Sequence, residues 1–345
     1  MLTTSSRYVD FHTGKLNTSY SWGDYSKAFA EYGAQVAKYP YLDRGFNLTY
    51  PVPADLLIPF GDFAKKYSLD LAVPLIWKFT QGIGDLLRTP TIYVMKYLGL
   101  SSLASIQNGF LTTAGYHNSL LYESAERILG QDVLYNGTIL EVERGQDGVA
   151  IIVKTPSQII LIKSQKLIIA IQPTLQNLKP FDLSDCEKKL FGKFTSTEYF
   201  SGVLRNSGIP SNISLVNIDA GQPFYLPPPP ALYGITQTEI PNLSLAYYLS
   251  TTTTKDDEIA QKILSDVKKL QMPGKEATNP EFAVTGLHRP FELKVSAVEI
   301  ENGFYRELYG LQGESRTWYA SATFHAHDSS LIWRFVEELL PSILA

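Results

Sequence analysis

The 345-residue chain has a single cysteine, Cys186. One thiol can form neither an intramolecular disulfide nor a thiolate zinc site. Its neighbours Asp185 and Glu187 oppose the lowered pKa that a reactive thiol needs. No run approaches the roughly 18 apolar residues of a membrane span. Met1 is followed by Leu-Thr-Thr-Ser-Ser-Arg rather than a charged stretch and an apolar stretch, so no secretory leader is expected. Gly-x-Ser-x-Gly, the strained elbow of many hydrolytic serines, is absent, and so is a Walker loop. No Gly-x-Gly-x-x-Gly follows a strand anywhere, and the nearest glycine-rich piece, Gly82-Ile83-Gly84, has no strand before it. The net charge is only −4, which gives no reason to expect nucleic acid or an acidic membrane surface as a partner.

What is present suits a folded chain. Hydrophobic residues make up 44% and charged residues 19%, enough apolar mass for two domains or one large one. The 21 Tyr and 17 Phe would suit a pocket built from ring faces, and they equally suit an ordinary core and surface. Sequons at Asn17, Asn47, Asn136, Asn212 and Asn242 would permit glycosylation if the chain were secreted, so no compartment is singled out.

Along the first hundred residues, apolar spacing predicts helices over 25–37, 54–67, 72–80 and 91–98, with Phe29, Tyr32 and Val36 on one face of the first. Asn118 and Ser119 can cap a further helix that runs to Leu129 and stops at Gly130. Strands are then expected over 133–135, 139–142, 150–154, 159–162 and 167–171. The last of these is wholly apolar, as in a buried parallel strand, and Pro173 stops it. The run Pro227 to Pro230 reads as a stiff extended loop. Strands over 199–204 and 243–249 flank a helix over 256–270, with Thr254 as its cap, acids at its start and Lys268 and Lys269 at its end. The chain closes as a strand from 315, a small-residue turn, and a helix over 331–340 striped by Leu331, Phe335 and Leu339.

A strand that leads through small residues into a helix start brings free N–H groups and a positive dipole end together. Asp328, Ser329 and Ser330 could therefore hold a phosphate or the edge of a flavin, and they are equally an ordinary capped helix start. His325, His327 and Asp328 are ligand types, but His12, His117 and His288 show no ligand spacing, and no metal site is expected.

The stretch Arg316-Thr-Trp-Tyr-Ala-Ser-Ala-Thr-Phe-His-Ala-His-Asp-Ser-Ser-Leu-Ile-Trp333 resembles the C-terminal flavin motif of fungal FAD-dependent oxidoreductases in the flavin-containing amine oxidase superfamily. Arg7 to Gly14, Lys38 to Leu42, Leu57 to Phe63, Gly109 to Thr113, Lys163 to Leu178 and Gly303 to Tyr309 agree with it, so the likeness spans nearly the whole chain. The resemblance implies an α/β fold. Part of an FAD/NAD(P)-binding Rossmann-like domain of the amine-oxidase type would interleave with an α+β substrate domain carrying an antiparallel sheet. By that likeness, 1–112 is the helical part of the substrate domain and 113–180 a segment of the FAD domain. The substrate sheet and helix occupy 181–290, and 291–345 supplies the last strand, turn and helix of the FAD domain.

The implied cofactor is FAD. Ile139 would meet the adenine, and Ala170 and Pro173 would end a strand beside the cofactor. Ala320 and Ser321 would approach the pyrophosphate and ribityl chain, and Asp328, Ser329 and Ser330 the flavin edge. Tyr199, Phe200 and Phe324 would wall the pocket of a small organic substrate, such as a secondary metabolite.

Two departures shape the expectation. The family begins with a βαβ unit bearing Gly-x-Gly-x-x-Gly, and Arg7-Tyr8-Val9-Asp10 aligns after it, so that unit is expected to be missing here. The lysine that many amine oxidases hold near the flavin has no counterpart around 195–203, and Ala320 stands where many members have Gly. Two readings follow: an FAD oxidoreductase that abstracts a hydride, with no catalytic base named, or a truncated, non-catalytic remnant unable to hold FAD by itself. The resemblance specifies neither substrate, electron acceptor nor oligomeric state.

Overall fold

The computed structural model describes residues 5–111, 113–115, 117–250, 255–271 and 278–345. Its chain divides into two compact units whose segments alternate along the sequence. The first comprises Met1–Tyr39, Val52–Leu98 and Thr195–Val298, and the second Pro40–Pro51, Gly99–Phe194 and Glu299–Ala345. Within the stretch 1–112, residues 40–51 and those from 99 onward thus cluster with the second unit. No helix among the described residues is long and apolar enough to cross a membrane.

The first unit is built on a seven-stranded sheet. From one edge to the other, its strands are Glu281–His288, Glu198–Arg205, Leu243–Ser250, Ala231–Gln237, Ile213–Asn217, Ser5–Asp10 and Lys15–Leu16. All neighbours pair antiparallel except Ser5–Asp10 with Ile213–Asn217. Residues 5–10 are a strand, although the opening of the chain was expected to be helical. Six residues carry too little periodicity to decide, and the pairing with a segment some 200 residues away decides instead.

Alternation along the strands puts Phe200, Leu204, Ala246 and Tyr248 on one face. Ile259, Ile263 and Val267 of the Asp256–Lys269 helix complete the core there. Lys255 stands at that helix's N-cap without a side-chain bond, and Thr254 lies outside the described residues. The helix predicted over 54–67 is two, Ala54–Leu57 and Phe60–Lys66, because Pro59 lacks an N–H and drives its predecessor out of the helical region.

The second unit holds an antiparallel sheet of Thr138–Arg144, Val149–Lys154 and Ile159–Ser164. It also holds a parallel pair, Leu167–Ile169 with Thr317–Tyr319. Residues 133–135 form no strand; Asn136 sits at φ +55° in a turn that delays the first strand to Thr138. The strand expected over 167–171 is only Leu167–Ile169, and it is half covered: Ile169 is buried while Ile168 is 46% exposed. A strand apolar on both faces needs cover on both faces, and among the described residues only one is covered. The Ser119–Leu129 helix is amphipathic and ends at Gly130 as expected, yet it buries no residue. The last helix, Ser329–Leu344, buries Leu331, Phe335 and Ile343, and leaves Leu340 40% exposed.

Candidate active site

Two groups of residues can carry chemistry, one in each unit. In the first, Tyr199 and Phe200 are consecutive in one strand, so their side chains leave opposite faces of the sheet. Phe200 is 3% exposed and belongs to the helix-covered core, so it does not share a wall with Tyr199. Tyr199 is half-buried on the other face at the centre of a ring ladder. Phe291 stacks on it at 5.0 Å and 24°, Tyr247 at 6.1 Å and 11°, and His288 at 6.4 Å and 29°. Tyr233 lies tilted at 6.5 Å, and Trp77 continues the row 4.7 Å beyond Tyr233.

Polar groups sit along this row. The Tyr199 hydroxyl donates to Gln81 Oε1 at 2.7 Å, and the Tyr97 hydroxyl donates to Glu292 Oε2 at 3.1 Å. The Gly82 N–H donates to the Tyr233 hydroxyl at 2.9 Å, and the Gly82 carbonyl accepts from Thr197 Oγ1 at 2.6 Å. Gly82 is at φ +88°, and a Cβ there would run into the Phe291 ring. The loop is therefore held to the sheet by a residue that must be glycine. Burial pushes the Tyr199, Tyr233 and Tyr97 hydroxyls above the ordinary phenol range, and for Tyr97 the neighbouring Glu292 adds to this. These phenols stay neutral at physiological pH and act as hydrogen-bonding groups rather than bases. Trp77 and Tyr233 also line a cavity of about 160 Å³ closed by Pro227, Pro228 and Pro229, which is where the stiff proline run is used.

In the second unit, the parallel pair brings Ala170, Ala320 and Ser321 together just past its shared carboxyl ends. Ile169 faces Tyr319 in register, and the Ala320 N–H donates to the Ile169 carbonyl at 3.0 Å. Ligands of open α/β sheets bind at such ends. Ser321 is 4% exposed, and its hydroxyl has no hydrogen-bond partner among the described residues. A buried hydroxyl without a partner is uncommon in a native fold and marks a place where a polar group is wanted. The small side chains and this orphaned hydroxyl fit an oxygen-rich group such as the pyrophosphate or ribityl chain of FAD. Pro173 is buried a few residues on, and Ala170 is exposed. Ile139 is 37% exposed in the antiparallel sheet, beside an irregularity in the register of its strand.

The helix start at 328–330 is already capped. Asp328 Oδ1 accepts from the Ser330 and Leu331 N–H groups at 2.9 and 3.1 Å, and from the Ser330 hydroxyl at 2.6 Å. An anion placed there would have to displace the carboxylate, so of the two sequence readings the structure carries the ordinary cap. Phe324 is fully buried and stacked on Tyr319 at 5.5 Å and 12°; its ring is core of the second unit and presents no surface to a pocket. His325 is also buried, with Nε2 3.2 Å from the Asp43 carbonyl. Among the described residues no group of three His, Cys, Asp or Glu could hold a metal ion.

Sequence reasoning singled out Tyr199 but missed Tyr97, Tyr233, Tyr247, His288, Phe291 and Glu292. The available signal was alternation. Once Tyr199 is placed on one face, strand pairing puts Tyr247 and His288 beside it. Tyr97, Phe291 and Glu292 come from a helix end and a loop, where no period applies.

No protein-family model matches the chain. It is 38% identical to the FAD-dependent oxidoreductase oblC of Cochliobolus heterostrophus, a match covering 97% of this chain and 73% of that protein. It is 33% identical to the β-cyclopiazonate dehydrogenase of Aspergillus flavus over 96% of this chain and 73% of that one. Among solved structures, a CLA-producing fatty acid isomerase from P. acnes superposes with a TM-score of 0.79 at 20% identity, covering 99% of this chain and 80% of that chain. Cyclohexylamine oxidase from Brevibacterium oxydans superposes with a TM-score of 0.56 at 12% identity, covering 98% of this chain and 81% of that chain. At these identities the structural likeness concerns the fold, which is the α/β arrangement of amine-oxidase-type flavoproteins with an antiparallel substrate-domain sheet.

Proposed function

Since this chain belongs to the family of fungal FAD-dependent oxidoreductases, enzymes whose cofactor is FAD, we propose that its reaction is the removal of a hydride from a flat, π-rich organic molecule seated against the Tyr199 ring ladder. The carrying observation is that ladder: four rings within 6.5 Å of Tyr199 on one half-exposed sheet face. Offset ring faces at such spacings favour a further planar partner by about 0.5–1.5 kcal/mol per contact beyond area burial. Gln81 and the neutral Tyr hydroxyls would orient polar atoms of the substrate. FAD, when bound, would supply the redox chemistry of hydride removal, with an acceptor such as oxygen as the final oxidant. Ala320, Ser321 and Ala170 would hold the cofactor's polar chain. The relative named β-cyclopiazonate dehydrogenase is named for an organic substrate, and the class proposed for this chain is a secondary metabolite. The competing reading, a non-catalytic remnant, is not favoured by a match that covers 97% of the chain.

The test has two steps. The purified chain is incubated with FAD, freed of excess, and its visible spectrum recorded; bound flavin is expected. Planar aromatic metabolites are then mixed with it anaerobically and bleaching of the flavin band is followed. Tyr199→Ala should raise the half-saturating concentration about tenfold while leaving flavin content intact. A protein that takes up no FAD would overturn the reading, and so would a Tyr199→Ala variant that saturates like the parent.

A further inference from the structure

A cavity of about 540 Å³ in the first unit is not used by the redox reading. Its size is that of a small-molecule site. Leu57, Pro59, Pro90, Val295 and Ala297 give it apolar walls, and the charged side chains lining it are Lys294, Arg88 and Asp85.

Lys294 is an unusual residue to find there. It lies in the two-residue strand Leu293–Lys294, which pairs with Thr195–Ser196, so its ammonium turns inward beneath the 83–89 loop. There it donates to the Ile83 carbonyl and to Thr89 Oγ1, the latter at 3.2 Å. An ammonium has three donors, and these bonds use two. Asp85 and Glu292 act on it through space, but among the described residues neither forms an ion pair with it. Glu292 instead accepts from Tyr97, and Asp85 lies 3.5 Å from Arg88 Nε. Burial alone pushes the Lys294 pKa down, as expected of a cation that lacks a contacting counter-ion. Two cations and one carboxylate line the cavity, so its lining charge is +1. Its remaining surface is chiefly apolar, with Thr195, Ser196 and Thr197 at one rim.

We propose that this cavity binds a small monocarboxylate with an apolar tail: the carboxylate is held by Lys294 at the inner wall with Arg88 at the mouth, and the tail lies against Leu57, Pro59, Pro90, Val295 and Ala297. A part-buried ammonium with a donor to spare binds a carboxylate by a charge-assisted hydrogen bond that is screened less than one at the open surface. An alcohol of the same length would gain only the apolar part, and an amine would meet like charge.

Titration calorimetry on the full chain tests this with octanoate, 1-octanol and octylamine as probes, in the absence of added flavin. Octanoate should bind at least about tenfold more tightly than octanol, the factor one charge-assisted hydrogen bond supplies, and octylamine should not compete with it. Lys294→Met should weaken octanoate about tenfold and leave octanol unchanged. Because that variant could fail to fold, Arg88→Ala is the second arm. Its side chain is 90% exposed, so folding is spared, and octanoate binding should fall roughly threefold, as for an exposed charge contact. Equal binding of octanoate and octanol, no binding of octanoate, or an octanoate affinity unchanged in Arg88→Ala would each overturn the proposal. Since the readout involves no flavin, its failure leaves the redox reading untouched.

Discussion

Arg144 grips Glu187 through two parallel hydrogen bonds, Nη1 to Oε1 at 2.7 Å and Nη2 to Oε2 at 2.8 Å, with both side chains at most 5% exposed. Asp182 holds the same guanidinium at Nε, and the Tyr319 hydroxyl donates to Glu187. Burial on its own would push the Glu187 carboxyl up, but the bonds from Arg144, Tyr319 and the Ser184 N–H, with the charge of Arg144, more than offset it and hold the carboxyl at about 2. A depressed carboxyl contributes stability that is present above its unfolded value of about 4.3 and is lost as pH falls through the folded value. Urea unfolding should therefore show the parent losing stability between roughly pH 4 and pH 2. Glu187→Gln should lose about 1–3 kcal/mol at neutral pH, because Arg144 keeps Asp182 but loses its bidentate partner, and show a shallower decline in that acid window.

Ser321 offers a two-sided outcome. Its hydroxyl is buried without a partner, so Ser321→Ala should leave the flavin-free chain equally stable or about 1 kcal/mol more stable. The same change should weaken FAD retention if the hydroxyl serves the cofactor. Thermal melting with and without FAD measures both, and a stability loss in the flavin-free chain would contradict the orphaned hydroxyl.

Opposite faces of one strand predict opposite phenotypes. Phe200→Ala should cost about 3–5 kcal/mol, since it opens a cavity in the core beneath the Asp256–Lys269 helix. Tyr199→Ala removes a half-buried ring and should cost clearly less, while disturbing ligand binding more. Chemical denaturation of both variants side by side decides this.

Gly82→Ala should be destabilising by about 1–3 kcal/mol, because the position needs φ +88° and the new methyl meets Phe291. Displacing Phe291 should also alter near-ultraviolet circular dichroism from the Tyr199 ladder. An unchanged spectrum would mean that the loop does not set the ladder's geometry.

Ile128 lies 86% exposed on the Ser119–Leu129 helix, which buries nothing. Ile128→Lys should leave the unfolding free energy within about 0.5 kcal/mol and reduce binding of an apolar dye to the chain.

Much of the fold was legible from local pattern. The Asp256–Lys269 helix was read from the charges at its two ends, the Ser119–Leu129 helix from its start and its stop at Gly130, and strands were expected over 199–204 and 243–249, where Glu198–Arg205 and Leu243–Ser250 lie. The C-terminal strand, turn and helix were read from small residues between two apolar stretches. What escaped was short or non-local: residues 5–10 form a strand only because residues 213–217 offer an edge, and Pro59 splits what looked like a single helix.

By itself the sequence determined the family, through residues 316–333 and the agreement along the chain, and with the family the FAD cofactor and the α/β fold. It also determined most elements, because their periodicity is a local property of the chain. Tertiary structure decided which side chains face which way. It set Tyr199 and Phe200 on opposite faces, buried Phe324 against Tyr319, and turned the ammonium of Lys294 into a cavity. The reason is physical: a side chain's environment is fixed by partners far away in sequence, and a one-residue step along a strand reverses it.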